Sequence, residues 1–555
     1  METNLAGQPN LADYESACRN FAWAAARREL AAGAGDARNA AVLAVDRHVR
    51  EGRGERCALV WVGGAGQSRR YSYADLRRET DRWANALASL GLRAGDLVCT
   101  SLPRVPELYL ALLAAVKLGA TVAPLFAGLD PEVLRTRLGE LAPRALLTSA
   151  GRWRPAPGEI PGLELVLAVD AGALPQAVAR SDPEFSAVPA AETDPLYIIY
   201  TSGTTGRPRA VLHAHGDAPQ QYLTSRWTLD LKESDTYWCP ADPASVTGFV
   251  YGLFGPWLAG ATQVVYGGPF TPASWYEVLA GQGVTVWYTA PAPLRLLSRA
   301  GLPEPQPQRL RHILSMGEPL TPDLLRWGRE TFGLDIRDNW CQAEAGSVLI
   351  SNYPAVPVRP GSMGKPFPGV TAAVIDARGR QLGPHQTGSL AFLPDWPALR
   401  RAIVNDPGRR RDRLRHGWYV TGDTAYRDED GYYYFAGRAA DVIDSSGARV
   451  SPTLVEAALM DHPAVLEAGV IGQPDPVHGE TVKAFLVLRD GYEPSERLRE
   501  SIVAHLREHL NGQANPRELE FIPALPKTRS GKVMRRILKA WDQGLPSGDV
   551  SNLKG

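Results

Sequence analysis

From about residue 70 to 390 two hydrophobic rhythms alternate: apolar faces at helical spacing, then short β-branched runs, with glycine between. Residues 109–125, YLALLAAVKLGATVAPL, read as a helix, a glycine stop and a strand. EVLAGQGVTVWYTAP (277–291) and LLRWGRETFGLDIRDNW (324–340) repeat that order. Such alternation predicts doubly wound α/β sheets covered by helices. After GWYVTGDTAYRDEDGYYYFAGR (417–438) the pattern restarts on a smaller scale. A helix over LVEAALMDH, strands over VLEAGVIG and VKAFLVL, a helix over ESIVAHLREHL and a strand over ELEFIP make a compact α+β unit. The junction falls between 437 and 441, dividing the chain into 1–439 and 440–555.

Composition narrows the function classes. With 555 residues, two or more domains are expected. Lys+Arg and Asp+Glu both number 60, so no net field recruits nucleic acid or a membrane surface. The apolar stretch 108–128 is interrupted by Lys117 and glycines and reads as a helix running into a strand, not a membrane span. METNLAGQPNLADYE lacks the basic flank and apolar core of a secretory leader, and a cytoplasmic location is expected. Five scattered cysteines without a C-x-x-C indicate neither a disulfide framework nor a thiolate zinc site. Residues 400–416 carry seven arginines, read as a solvated loop in preference to a phosphate patch.

One loop carries chemistry. YTSGTTGRPR, 200–209, follows an apolar strand and offers the hydroxyls of Thr201, Ser202, Thr204 and Thr205 beside Gly203 and Gly206. Hydroxyls and glycine-freed amides can wrap a polyphosphate. The Walker and dinucleotide fingerprints, H-E-x-x-H and G-x-S-x-G are all missing. Four further segments accompany the loop in order: SMGEPL (315–320), DNWCQAEAG (338–346), YVTGD (419–423) and PKTRSGKVMRR (526–536). Together the five resemble the signature of the adenylate-forming superfamily, which includes acyl-CoA synthetases, firefly luciferase and peptide-synthetase adenylation domains. YWCPADPASVTGFVYGLFGPWLAGAT (237–262), NYPAVPVRPGSMGKPFPGV (352–370) and LPKTRSGKVMRRILKAW (525–541) are similar to the acetyl-CoA synthetase type.

The resemblance implies a large N-terminal domain of doubly wound α/β sheets with a small β subdomain, plus a small mobile α+β C-terminal domain. It implies activation of a small-molecule carboxylic acid by ATP to an acyl-adenylate, then transfer to coenzyme A, with Mg²⁺ as cofactor. Thr201, Ser202, Gly203, Thr204, Thr205 and Gly206 would hold phosphate. Gly317, Glu318, Pro319, Asp338, Asn339, Trp340, Gln342 and Ala343 would line the nucleotide, Asp423 would accept the ribose hydroxyls, and Arg438 and Arg449 would touch nucleotide oxygens. Glu344 would hold Mg²⁺, a hard cation suited to one carboxylate, water and phosphate oxygens. Lys532 would stabilise the α-phosphate during adenylation. In the second step the C-terminal domain would rotate, bringing Ser446 and Gly447 beside CoA, with Thr247 and Arg507 as further CoA contacts.

The departures from the pattern concern both ends of the reaction. The acetyl-selective pattern closes its acyl pocket with two tryptophans, where this chain has Ser245 and Cys341. Each missing indole is about 150 to 250 Å² of contact surface. A pocket lined by Ser245, Val246, Met316 and Cys341 is therefore expected to take a bulky acid. Ala343 stands where the family has Thr, Arg209 and Ala210 replace Lys-Gly, and Ala440 replaces a pivot Asp beside Asp441. Ala210 is expected to deny the loop easy access to positive φ. The principal reading is a complete ATP-dependent ligase. The alternative is a ligase weak in adenylation that takes preformed acyl-adenylate from a separate adenylating enzyme. A non-catalytic homologue ranks last, because Lys532, Glu344 and Asp423 are retained.

Overall fold

The structure is a computed structural model that describes residues 8–32, 38–201, 208–301, 306–400, 412–445, 448–476, 479–510, 515–528 and 532–545. The helix–glycine–strand units lie where the pattern placed them. Pro106–Lys117 is buried along its length and runs through Gly119 into Thr121–Leu125. Pro272–Gly281 leads to Val286–Thr289, and Pro322–Phe332 leads through Gly333 to Ile336–Cys341.

These strands feed two sheets. A six-stranded sheet runs Leu165–Ala168, Ala145–Thr148, Leu97–Ser101, Thr121–Leu125, Pro195–Thr201, Arg209–Ala214. Its first five strands are parallel, and Arg209–Ala214 turns back antiparallel. The larger sheet is parallel from Cys57–Val62 through Thr262–Tyr266, Thr236–Trp238, Val286–Thr289 and His312–Met316 to Ile336–Cys341. Beyond Ile336–Cys341 it becomes antiparallel through Val348–Ser351 and Ser362–Pro366. It then continues into the small β layer of Tyr433–Arg438, Trp418–Arg427, Gly388–Phe392 and Ala372–Ile375. The switch from parallel to antiparallel pairing leaves the ends of Ile336–Cys341 and Trp418–Arg427 facing one cleft, the kind of place where open α/β sheets take ligands.

The C-terminal unit has its own core. Gly479–Leu488 lies between Val465–Asp475 and Glu518–Phe521, and Ile443, Val455, Leu459, Val470, Leu486 and Ile502 pack beneath it. Arg535–Asp542 is an additional helix with Ile537 and Leu538 buried. At the junction, the Ala439 amide donates to the Gly422 carbonyl at 2.9 Å, on the large side. Asp441 is instead 3.0 Å from Arg535 on the last helix, and Arg535 also grips the buried Glu456. All five cysteines are free. Among the described residues no helix is long and apolar enough to cross a membrane.

Candidate active site

Ile336–Cys341 is flanked on both sides, so its polar residues are buried and must find partners within the protein. The Asp338 carboxylate accepts the Asn339 amide at 2.9 Å and the Leu320 amide, and burial pushes its pKa well above the usual range. Asn339 Oδ1 accepts the Tyr288 hydroxyl at 2.8 Å. Trp340 stacks on Phe392 at 5.3 Å and donates its indole N–H to Asp423 at 2.9 Å. Gln342 reaches across to the Thr421 carbonyl at 3.0 Å. One strand and the opposing Trp418–Arg427 strand thus hold Asp338 and Asp423 in a common wall.

Cations complete that wall. Asp423 is 2 % exposed, and its Oδ1 lies 2.9 Å from Arg438. Burial raises the Asp423 pKa, against the pull of Arg438 and Lys532. Lys532 enters from the C-terminal unit, its main chain paired with Thr528 at 2.8 Å. Its Cε passes 3.8 Å from where a Cβ on Gly317 would sit, a glycine held at φ +103°. Burial lowers the Lys532 pKa, Arg438 adds to that, and Glu318 and Asp423 oppose it. Glu318 is itself paired with Arg295 at 2.6 Å. Gly317 and Pro319 stay exposed at the rim.

Glu344 sits on the short turn Ala343–Ala345, 3.6 Å from the buried Arg209 guanidinium. Arg209 therefore faces the acidic turn from strand Arg209–Ala214. The expectation that Ala210 deprives a loop of positive φ is overturned. Ala210 is buried inside that strand, opposite Tyr200, and is not among the residues with positive φ. Extended backbone suits alanine, so the replacement costs no strain there.

Next to the cleft, Ser245 caps the helix Val246–Phe249: its Oγ accepts the Gly248 amide at 3.1 Å and donates to the Asp242 carbonyl at 2.7 Å. A Cβ on Gly248 would lie 2.0 Å from that carbonyl oxygen, so only glycine permits the approach. Val246 and Thr247 are half-buried. Cys341 Sγ lies 3.1 Å from Met316 Sδ, which is also 3.0 Å from the Tyr288 hydroxyl oxygen. Tyr197, Tyr251 and Tyr288, all fully buried, lie near enough for the thiol to bear on their ionisation. Burial pushes the Cys341 pKa up to about 12, which keeps it a thiol and not a nucleophile.

The structure thus brings Met316, Gly317, Glu318, Asp338, Asn339, Trp340, Cys341, Asp423, Arg438 and Lys532 to one cleft, with Glu344 one turn beyond. Thr201 ends the strand Pro195–Thr201, paired with Arg209. Ser202, Gly203, Thr204, Thr205, Gly206, Ser446 and Gly447 lie outside the described residues, as do 401–411 of the arginine-rich segment, and Arg449 is described for its backbone alone. Arg507 is exposed on Glu496–His509, a helix of the C-terminal unit. Sequence reasoning missed Tyr197, Tyr251 and Tyr288, which read as ordinary core aromatics, and His213, whose signal is its place two and four residues along the strand from Val211 and Arg209. Glu318 Oε1, Asn339 Nδ2 and Gln342 Oε1 are buried without a hydrogen-bond partner among the described residues. Such groups are costly unless a polar ligand completes them, and a purine, a ribose and phosphates would supply both donors and acceptors.

Comparison with known proteins accords with this cleft. Residues 45–393 match the AMP-binding enzyme family and 454–532 match the AMP-binding enzyme C-terminal domain. The acetyl-coenzyme A synthetase of Bacillus subtilis (strain 168) is 44% identical, over 99% of this chain and 98% of that protein. That of Methanothrix thermoacetophila is 37% identical over 93% of this chain and 84% of its own length. Among solved structures, a Brucella canis acyl-CoA synthetase aligns with a TM-score of 0.73 at 33% identity, covering 96% of this chain and 99% of that one. An anthranilate CoA ligase in complex with anthranoyl-AMP aligns at 0.82 and 28% identity, covering 91% and 97%. The chain belongs to the AMP-binding, adenylate-forming enzymes and is an AMP-forming acid–thiol ligase of the acyl-CoA synthetase type.

Proposed function

We propose that this ligase couples a carboxylic acid bulkier than acetate to coenzyme A. In the first step a carboxylate oxygen attacks the α-phosphorus of ATP, and the bond to pyrophosphate breaks. In the second, the CoA sulfur attacks the acyl carbon, the bond to the AMP oxygen breaks, and the thiol proton leaves to solvent. Negative charge gathers on phosphate oxygens first and on the carbonyl oxygen later, so each step needs fixed donors and cations.

The assigned roles are those that the family resemblance implies, and the chemistry of the side chains suits them. Asp338 and the Gly317–Pro319 loop take the adenine, Asp423 and Arg438 the ribose side, and Lys532 the α-phosphate. Glu344 is the carboxylate that would hold Mg²⁺. Among the described residues no cluster of three or more His, Cys, Asp or Glu side chains could hold a metal ion. Mg²⁺ readily takes its remaining ligands from water and phosphate oxygens. When bound, the ion neutralises phosphate charge. Thr201 to Gly206 hold the polyphosphate, and Thr247, Ser446, Gly447 and Arg507 receive CoA.

One observation supports a bulky acid: Cys341 and Ser245 supply small side chains where two indoles would narrow the pocket. Ser245 cannot be enlarged without losing its cap, because its Oγ is spent on Gly248 and Asp242. The second reading, a ligase with weak or absent adenylation fed by another enzyme, rests on Ala343 and Ala440 once Ala210 is seen to lie in a strand.

The test is a panel of acids of increasing bulk, given with ATP and CoA and read as thioester mass, with the corresponding preformed acyl-adenylates alongside. Bulky acids turned over in preference to acetate support the proposal. Acetate preferred throughout refutes it, and thioester from adenylates alone favours the second reading.

A further inference from the structure

Alternate residues of a strand share one face, so Arg209 and His213 on Arg209–Ala214 point the same way. Arg209 faces Glu344 at 3.6 Å, and His213 Nε2 lies 2.8 Å from the carbonyl of Ala343, the preceding residue. A carbonyl only accepts, so Nε2 carries the hydrogen. The other ring nitrogen is 3.0 Å from Asp217, the ring stacks on Tyr197 at 4.5 Å and 14°, and His213 is fully buried. A Cβ on Gly346 would come within 2.8 Å of His213 Cε1, so the glycine backbone is what admits the imidazole.

The turn that carries Glu344 has little holding power of its own. Its internal bonds are Ala345 N–H to Gln342 O at 3.0 Å and Gly346 N–H to Ala343 O at 3.1 Å. Such a short three-residue helix leaves its carbonyls in need of outside donors. They receive them: Ala345 O accepts Trp396 Nε1 at 2.9 Å and Gln220 Nε2 at 3.2 Å, and Ala343 O accepts His213. Ala343 has only a methyl group with which to fix itself.

From this clamp we infer that His213 is a positioning residue for adenylation: through the Ala343 carbonyl it sets the Glu344 carboxylate where a divalent cation and the ATP phosphates need it. This rests on the assignment of Glu344 under the proposed function. A buried aromatic filling space would need the ring but not the N–H, which separates the two roles. His213→Phe keeps the ring and its stack on Tyr197 and removes the donor, whereas His213→Gln returns an N–H to the end of the side chain.

Three readouts test it: the Mg²⁺ concentration giving half-maximal ATP–pyrophosphate exchange, thioester formation from preformed acyl-adenylate, and hydrogen exchange of the Ala345 and Gly346 amides without nucleotide. His213→Phe is expected to raise the Mg²⁺ midpoint roughly 3- to 10-fold, the worth of one hydrogen bond. It should also speed exchange at the two amides while thioester formation from adenylate stays near wild type, and His213→Gln should reverse both changes. Equal loss of both half-reactions with an unchanged Mg²⁺ midpoint, or unaltered amide exchange in His213→Phe, overturns the inference. If the wild-type protein performs no ATP–pyrophosphate exchange, the adenylation reading fails instead, and amide exchange alone decides whether His213 holds the turn.

Discussion

Replacing Lys532 with alanine should separate the two half-reactions. The ammonium reaches the cleft from a segment whose main chain is bonded to Thr528, and it faces Glu318, Asp423 and Arg438. Removing it deletes one charge-assisted contact to an α-phosphate oxygen, worth about 1.5 to 3 kcal/mol. In the transition state that is about 10- to 150-fold in adenylation rate. Asp423 keeps its 2.9 Å contacts to Arg438 and Trp340, so the ribose side of the site survives the substitution. ATP–pyrophosphate exchange should therefore fall by that factor, while thioester formation from preformed adenylate changes by less than about threefold. Equal losses in both assays would refute the assignment of Lys532 to the first step.

The same residue predicts a pH dependence. Burial and Arg438 lower the Lys532 pKa, so its charge is lost, as pH rises, at a lower pH than for an ordinary lysine. Adenylation should decline on the alkaline side earlier than an ordinary lysine would require. Lys532→Arg, with a cation that stays charged, should lose that limb even if its rate is lower. An alkaline limb that persists in Lys532→Arg would assign the titration elsewhere.

Cys341→Trp should exclude bulky acids and shift preference toward acetate, since an indole of about 150 to 250 Å² must enter the space beside Met316. An unchanged acid profile removes the pocket argument. Gly248→Ala puts a Cβ 2.0 Å from the Asp242 carbonyl oxygen and should cost about 1 to 3 kcal/mol of stability, visible as a lower melting temperature. Arg535→Met strands the buried Glu456 and frees Asp441, at about 3 to 5 kcal/mol, and limited proteolysis should then cut the C-terminal unit first.

Much of this was legible in the chain because it is written locally. Helix, glycine and strand follow one another within each unit, so the order of Pro322–Phe332, Gly333 and Ile336–Cys341 needs no tertiary information. The gathering of Asp338, Asp423 and Lys532 came from the ordered motifs, not from any periodicity. What stayed hidden depends on long-range contact. Tyr288 and Tyr251 have the look of core residues until the sheet sets them beside Cys341. Ala210 was misread because the chain leaves the phosphate loop for a strand at Arg209, where the motif read as a continuing turn. Ser245 could have been recognised as a cap from the sequence Ser-Val-Thr-Gly, since a hydroxyl before a short helix accepts the amide three residues on.

Whether the first half-reaction operates turns on how much its substitutions remove. Ala210 sits in extended backbone and removes nothing. Ala440 lies in an exposed turn between Ala439, bonded to Gly422, and Asp441, bonded to Arg535, so a carboxylate still stands at the junction. That leaves Ala343, whose missing hydroxyl is worth at most about 3 kcal/mol, or roughly 150-fold. Adenylate-forming catalysis exceeds its uncatalysed reference by many more orders of magnitude than that. Against this one loss stand Arg209 facing Glu344, three side chains holding the carbonyls of the Glu344 turn, and Lys532 drawn into the cleft despite the cost of burying its charge. A desolvated lysine is tolerated only where opposite charge compensates it, and Glu318 and Asp423 give part of that compensation while bound phosphate would give the rest. The balance of magnitudes favours a slowed first step over an absent one.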